Sequence, residues 1–157
     1  MQAVIQAARP YSHELLPQPE CEKLPYYSAL KYIRQRLEAD ASDFPENKCN
    51  TANWIVSHAT ELEGRAGFYR LEKHRSKTLT YHAWNYDKER GLYVDITQDQ
   101  FNWTTAKAPP IAITRETDPF MIYMPVLDLR EWKETIAGMP IADYISALKA
   151  ELAVLTA

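Results

Sequence analysis

The chain has little glycine, four residues in 157, and none of the four stands in a GxGxxG or GxxxxGKS string. Loops that cradle phosphates need successive backbone N–H groups laid bare by small residues, so a nucleotide-binding loop is excluded. GxSxG is missing too, which excludes the strained turn that presents a serine nucleophile on an α/β-hydrolase sheet. Cysteine is down to two residues, Cys21 and Cys49. A chain of this size buries enough apolar surface to do without disulfides, and two cysteines make no disulfide framework, so a reduced, cytoplasmic setting is expected. His13, His58, His74 and His82 form no CxxC, HExxH or close ligand pair with those cysteines. Neither a metal centre nor a cofactor is expected. No apolar run reaches the roughly 18 residues of a membrane helix, and the first sixteen residues lack the basic start and apolar run of a secretory signal. Charge of one sign is also lacking: 18 basic and 21 acidic residues are well mixed, for a net charge of −3. Phosphate backbones are bound by clustered basic surface, so no nucleic-acid partner is expected, and the string Arg70–Lys77 reads as a solvated strand end and turn.

What is present is a packable interior. Hydrophobic residues make up 46% of the chain, including ten Tyr, four Trp and four Phe, which favours one globular domain over residues 1–157. Pro10, Pro17, Pro19 and Pro25 break Met1–Pro25 into a short helix and an extended strap that packs across the domain. In Tyr26–Ala41, Tyr26, Ala29, Leu30, Ile33 and Leu37 recur at steps of three and four while Lys31, Arg34, Arg36 and Glu38 take the other side, the pattern of an amphipathic helix. A loop holding Pro45 follows, then a helix from Cys49 to about Leu62, with Trp54, Ile55 and His58 or Leu62 on one face and Gly64 and Gly67 ending it. Strands are expected at Gly67–Leu71, Thr78–Tyr86, Gly91–Thr97, Ile111–Arg115 and Phe120–Val126. Leu129–Ala137 and Pro140–Leu155 read as closing helices, the second with Ile141, Tyr144, Ile145, Leu148, Leu152 and Leu155 on one stripe. The fold class is α+β, with the Cys49 helix packed on an antiparallel sheet.

Strand pattern, turn chemistry and reactive side chains coincide in Tyr81–Phe101. His82, Trp84 and Tyr86 share a face by alternation, as do Gly91, Tyr93 and Asp95 beyond the polar Asp87–Gly91 turn. Antiparallel pairing of the two arms brings His82 and Asp95 to face one another, an imidazole beside a carboxylate that makes an oriented general base. Such a base needs a nucleophile. Cys49 opens a helix, where the positive end of the helix dipole and a nearby imidazolium favour the thiolate. The expected constellation is Cys49, His82 and Asp95. Oxyanion donors are sought in the Cys49 backbone amide and in the side chains of Asn47 or Asn50, and Trp84 and Trp103 are candidates to wall a substrate groove.

A cysteine opening a helix, then a strand with HAW, then a strand with VDIT resembles the transglutaminase-like branch of the papain-like cysteine enzymes, and VDITQDQF resembles small bacterial and phage proteins of that superfamily. The resemblance covers Lys48–Phe101, roughly a third of the chain. It implies a papain-like core with extra terminal helices and a catalytic Cys, His, Asp order that Cys49, His82 and Asp95 match. Around the cysteine the text Asn47-Lys48-Cys49-Asn50 departs from the transglutaminase pattern, which usually has Trp or Gly there. Two function classes follow. One is a thiol hydrolase, deamidase or acyltransferase acting on peptide or glutamine amides of a protein or peptide substrate. The other is a non-catalytic interaction protein that keeps the scaffold with Cys49 inert.

Overall fold

The computed structural model describes residues 15–73, 76–101, 108–116, 123–127 and 130–156. The described elements are four α-helices, α1 (Gln18–Cys21), α2 (Tyr27–Asp40), α3 (Cys49–Ala59) and α4 (Ile141–Leu155), one short 3-10 helix (Gln98–Phe101) and seven strands. These strands are β1 (Glu63–Lys73), β2 (Ser76–Asp87), β3 (Leu92–Asp95), β4 (Ala112–Arg115), β5 (Tyr123–Leu127), β6 (Thr135–Ile136) and β7 (Met139–Pro140). Five of them form one antiparallel sheet in the order β4-β3-β2-β1-β5, and β6 and β7 form a separate small hairpin. The protein is thus α+β.

The register places the chemistry. Asn85 pairs with Val94, Tyr86 with Tyr93 and Asp87 with Leu92, so one step further along the ladder sets Asp95 beside Trp84, diagonal to His82 on the same face. The β2–β3 turn works because Asp87 Oδ1 accepts the Arg90 N–H at 3.1 Å and the Gly91 N–H closes onto the Asp87 carbonyl at 2.8 Å. Gly91 sits at φ 65°, which a residue without Cβ adopts freely.

The two sheet faces differ. One carries Leu92, Val94 and Ile113 against a core made by Leu30, Ile33 and Leu37 of α2, Ala52, Ile55 and Val56 of α3, and Ile141, Tyr144, Ile145 and Leu148 of α4. The other carries Tyr69, Trp84, Tyr86, Tyr93 and Tyr123. On the first face Cys49 packs on Ala66 and Ala83, and small side chains there let the helix start approach the strands closely.

Four expectations are corrected. Gly64 and Gly67 do not end α3; the Thr60 N–H and hydroxyl both bond the Val56 carbonyl and stop the helix at Ala59, and the two glycines lie inside β1. Leu129–Ala137 is not a helix over its described part, because Ala137 (φ 52°) and Gly138 (φ 79°) make the left-handed pair of a two-residue hairpin turn joining β6 to β7. Leu155 is exposed rather than part of the buried stripe of α4. Arg34 was assigned to the polar side of α2 but lies on its buried stripe, 7% exposed. Its guanidinium forks onto Asp99 with two 2.8 Å bonds and also donates to the Ile96 carbonyl at 2.7 Å. That fork ties α2 to the turn that follows Asp95. The N-terminal strap is described only from Leu15, which bridges Thr114, with the Leu16 N–H on the Ile113 carbonyl at 2.8 Å; residues 1–14, and residues 117–122 with the first part of the strand expected at Phe120–Val126, lie outside the described ones.

Removing one partner of a buried, bidentate pair leaves the other charge stranded, so Arg34→Ala is expected to cost about 3 kcal/mol in urea unfolding. Lys31→Ala, one turn away on the exposed side, is expected to change stability by less than about 0.5 kcal/mol.

Candidate functional site

His82 and Asp95 form a dry pair in the interior. The His82 Nε2 to Asp95 Oδ2 distance is 2.7 Å, with the two side chains 0% and 1% exposed. Asp95 is held by more than the imidazole. Its Oδ1 accepts the Thr97 N–H at 2.9 Å and the Thr97 hydroxyl at 3.2 Å, and its Oδ2 accepts the Tyr123 hydroxyl at 2.9 Å. A carboxylate with four donors stays ionised: burial pushes its proton affinity up, but the His82 charge, the His82 bond, the Thr97 amide and the Tyr123 hydroxyl together hold it below the usual carboxylate range. The complementary effect on His82 is large. Burial alone would lower its pKa, yet the Asp95 charge, the Asp95 bond and then the Cys49 sulfur raise it to about 9. At neutral pH the ring is therefore an imidazolium.

The Cys49 sulfur acts on that ring as well. Cys49 is the first residue of α3, 8% exposed, and it packs on Ala66 and Ala83, the neighbours in sequence of Gly67 and His82, which pair across β1 and β2. Nε2 being taken by Asp95, the sulfur acts on a ring whose second nitrogen, Nδ1, has no hydrogen-bond partner. The two are close enough for the sulfur to raise the proton affinity of His82, without the alignment of a hydrogen bond; such looseness is common before a substrate binds. Cys49, His82 and Asp95, widely separated in sequence, are thus brought to one place.

The start of α3 has no side-chain cap of its own. Glu134, just before β6, braces it through side chains instead: its carboxylate receives Lys48 Nζ at 2.9 Å, the Thr51 hydroxyl, and Trp132 Nε1 at 2.9 Å. Asn50, half-buried, accepts a hydrogen bond from the Tyr81 hydroxyl through its side-chain oxygen. Asn47 is exposed in a left-handed turn at φ 56°, after a cis Phe44–Pro45 bond. Trp84 does not wall an open groove. It is 1% exposed and wedged against Tyr93 and Tyr123, at ring-centroid distances of 6.2 and 4.9 Å, because alternation sends it to the aromatic face with His82. Trp103 lies outside the described residues.

Several residues around the pair escaped the sequence reading. Thr97 is the findable one, since Asp followed two residues later by Thr is an Asx-type turn that fixes the carboxylate at a strand end. Tyr123, Tyr81 and Glu134 carry no local signal. Tyr69 and Phe101 meet the imidazole edge-on at 5.4 and 5.1 Å and help keep water from it. A cavity of about 600 Å³, lined by Pro25, Tyr26, Ala59–Leu62 and the β2–β3 turn, lies at the far end of α3; the eleven residues of that helix put it roughly 15 Å from Cys49. Among the described residues no three His, Cys, Asp or Glu side chains converge as metal ligands, both cysteines are free, and no helix is long and apolar enough to cross a membrane. No protein-family model matches the chain, and neither does any curated protein or solved structure.

The pair makes folding pH-dependent in two directions. A histidine raised from 6.5 to about 9 contributes stability that is complete below about pH 6.5 and is lost as pH rises towards 9, with a slope of up to about 1.4 kcal/mol per pH unit. Asp95, shifted down, contributes stability that is complete above its ordinary range, near pH 4, and is lost as pH falls through its lower folded value. Urea unfolding from pH 6.5 to 9 is expected to show wild type losing stability more steeply than His82→Gln; parallel curves would mean that His82 is not charged in the folded protein.

Proposed function

We propose that the protein is a cysteine-dependent hydrolase or acyltransferase acting on amide bonds of a protein or peptide, peptide or glutamine side-chain amides, with hydrolysis or deamidation as the favoured outcome. The kinship with transglutaminase-like, papain-like enzymes belongs to the same proposal. The observation that carries it is the buried His82–Asp95 pair with a free cysteine, at the start of a helix, beside the ring. A structural histidine has no need of a carboxylate fixed by three further donors.

In the proposed cycle Cys49 sulfur, as the thiolate partner of the His82 imidazolium, attacks the carbonyl carbon. An S–C bond forms and the carbonyl electrons move to oxygen. As the tetrahedral intermediate collapses, the C–N bond breaks and His82 gives its proton to the leaving amine. Asp95 holds the ring through Nε2, so that Nδ1 is the nitrogen that handles the proton, and it stabilises the imidazolium between steps. A water molecule, deprotonated by the now neutral His82, hydrolyses the thioester. Water is favoured over an amine as acceptor by the polar text around the thiol, Glu46, Asn47, Lys48, Asn50 and Thr51; transfer to an amine asks for an apolar tunnel that holds water back.

The low exposure of Cys49 favours a second reading, an interaction protein that keeps the scaffold without the reaction. Iodoacetamide separates the two. Under the first reading Cys49, identified by peptide mass, is alkylated well below the pH at which a free thiol reacts, with pKa near 8.5, and Asp95→Asn slows the reaction by at least about tenfold while the fold persists. Equal rates in wild type and Asp95→Asn count against the triad. To identify the reaction, wild type and Cys49→Ser are incubated with a proteome and a labelled amine, followed by mass spectrometry. New termini or Gln-to-Glu conversions confined to wild type are expected; amine incorporation in preference to hydrolysis would overturn the choice of water, and identical profiles would favour the non-catalytic reading.

A further inference from the structure

The mouth of the site has a polar edge that the triad does not use. Tyr81, Ala83 and Leu79 alternate onto the same face of β2, and Ala83 is where Cys49 rests. Tyr81 therefore stands two residues from the cysteine's seat, 44% exposed, with its hydroxyl donating to the side-chain oxygen of Asn50, the residue after Cys49. This bond spans the gap between the start of α3 and the strand. The charge of Cys49 reaches Tyr81 as well and opposes its ionisation, after burial, in keeping with the short path between them.

We infer that Asn50 is the side-chain oxyanion donor of the site and that Tyr81 is its positioning residue. The inference rests on the cysteine-enzyme reading and chooses among the donors it left open. An amide side chain has one acceptor and two donors on the same carbon. Once the Tyr81 hydroxyl occupies the oxygen, the NH₂ end is turned to the opposite side with its two N–H groups, for which no described bond exists. Asn50 is the second residue of α3, where backbone N–H groups have no partner within the helix, so the side-chain amide and the free backbone amide of Cys49 are adjacent donors at one helix start. Asn47 has no such fixing: it is exposed, in a turn, and its side chain is engaged by no described partner. A preorganised donor is the one that stabilises a developing oxyanion, because it needs no reorganisation as the charge appears. Tyr81 supplies that preorganisation from the sheet, while Glu134, just before β6, holds Lys48 and Thr51 at the start of α3.

Two reagents that share the nucleophile and differ in the oxyanion test this. Iodoacetamide is attacked at a saturated carbon: an S–C bond forms, iodide leaves with the C–I electrons, and no oxygen gains charge. With p-nitrophenyl acetate the sulfur attacks the carbonyl carbon, the oxygen becomes an oxyanion, and collapse breaks the ester C–O bond to release p-nitrophenolate and leave an acetyl thioester on Cys49. The readout is the ratio of the acetylation rate to the alkylation rate at Cys49, with Cys49→Ser as background and thermal melting as the check on folding. Asn50→Ala is expected to lower the ratio by about a hundredfold and Tyr81→Phe by about tenfold. Asn50→Ser, smaller and compatible with a helix start, is expected to follow Asn50→Ala. An unchanged ratio in Asn50→Ala and Asn50→Ser overturns the donor role. A fall in Asn50→Ala with Tyr81→Phe at the wild-type ratio overturns the positioning role. Reaction of both reagents with wild type no faster than with Cys49→Ser overturns the cysteine-enzyme reading itself, and the inference with it.

Discussion

A charged pair without water, His82 against Asp95, is the constraint on which the surrounding architecture depends. Two ionisable groups taken out of water are tolerated only where their mutual attraction is joined by enough further hydrogen bonds to offset desolvation. Asp95 meets that condition with the Thr97 amide and hydroxyl and the Tyr123 hydroxyl. Together with His82, these donors depend on three structural decisions: the register of β3 on β2 brings His82, the tight turn that ends β3 brings Thr97, and the return of β5 to the far edge of the sheet beside β1 brings Tyr123. If any one were out of place, a buried carboxylate would lack a partner, at a cost of several kcal/mol.

The same constraint explains features that look unrelated to the site. Arg34 is buried on an otherwise apolar helix stripe because the segment after Asp95 needs an anchor, and the guanidinium reaches both the Ile96 carbonyl and Asp99. The aromatic layer of Tyr69, Trp84, Tyr123 and Phe101 surrounds the imidazole with edges and faces that exclude water while offering hydroxyls where they are needed. Glu134 plays for α3 the part that Arg34 plays for the turn. It fixes the first turn of the helix that carries Cys49, from a segment more than eighty residues away in the chain.

For the proposed chemistry, the consequence is a division of labour. The carboxylate side is rigid and closed, with every oxygen assigned. The sulfur side is looser, with Nδ1 lacking a hydrogen bond and Cys49 only slightly exposed. A substrate carbonyl entering near Tyr81 and Asn50 meets the loose side, so alignment of the nucleophile falls to the binding step while the protonation state of the imidazole is set beforehand.

The sequence by itself determined the elements whose signal is local. Period-two alternation on either side of Asp87–Gly91 gave the β2–β3 hairpin and put His82 and Asp95 on one face, and the polar-to-helical change at Lys48–Cys49 gave the start of α3, because side-chain direction in strands and helix termini depends on neighbours a few residues away. Helix α2 was legible for the same reason, although Arg34 looked solvated: a lone charge within a helical repeat carries no mark of the Asp99 that buries it. The hairpin at Ala137–Gly138 was hidden within a stretch read as a helix, and only the pairing of Thr135 and Ile136 with Met139 and Pro140 decided it. Tertiary structure alone decided that Cys49 lies beside the His82–Asp95 pair, that Tyr123 and Tyr81 complete the surroundings, and that Trp84 is interior rather than a groove wall. Those outcomes depend on how helix and strands pack across long stretches of chain, and packing energy is shared among many distant side chains instead of being written into any one stretch.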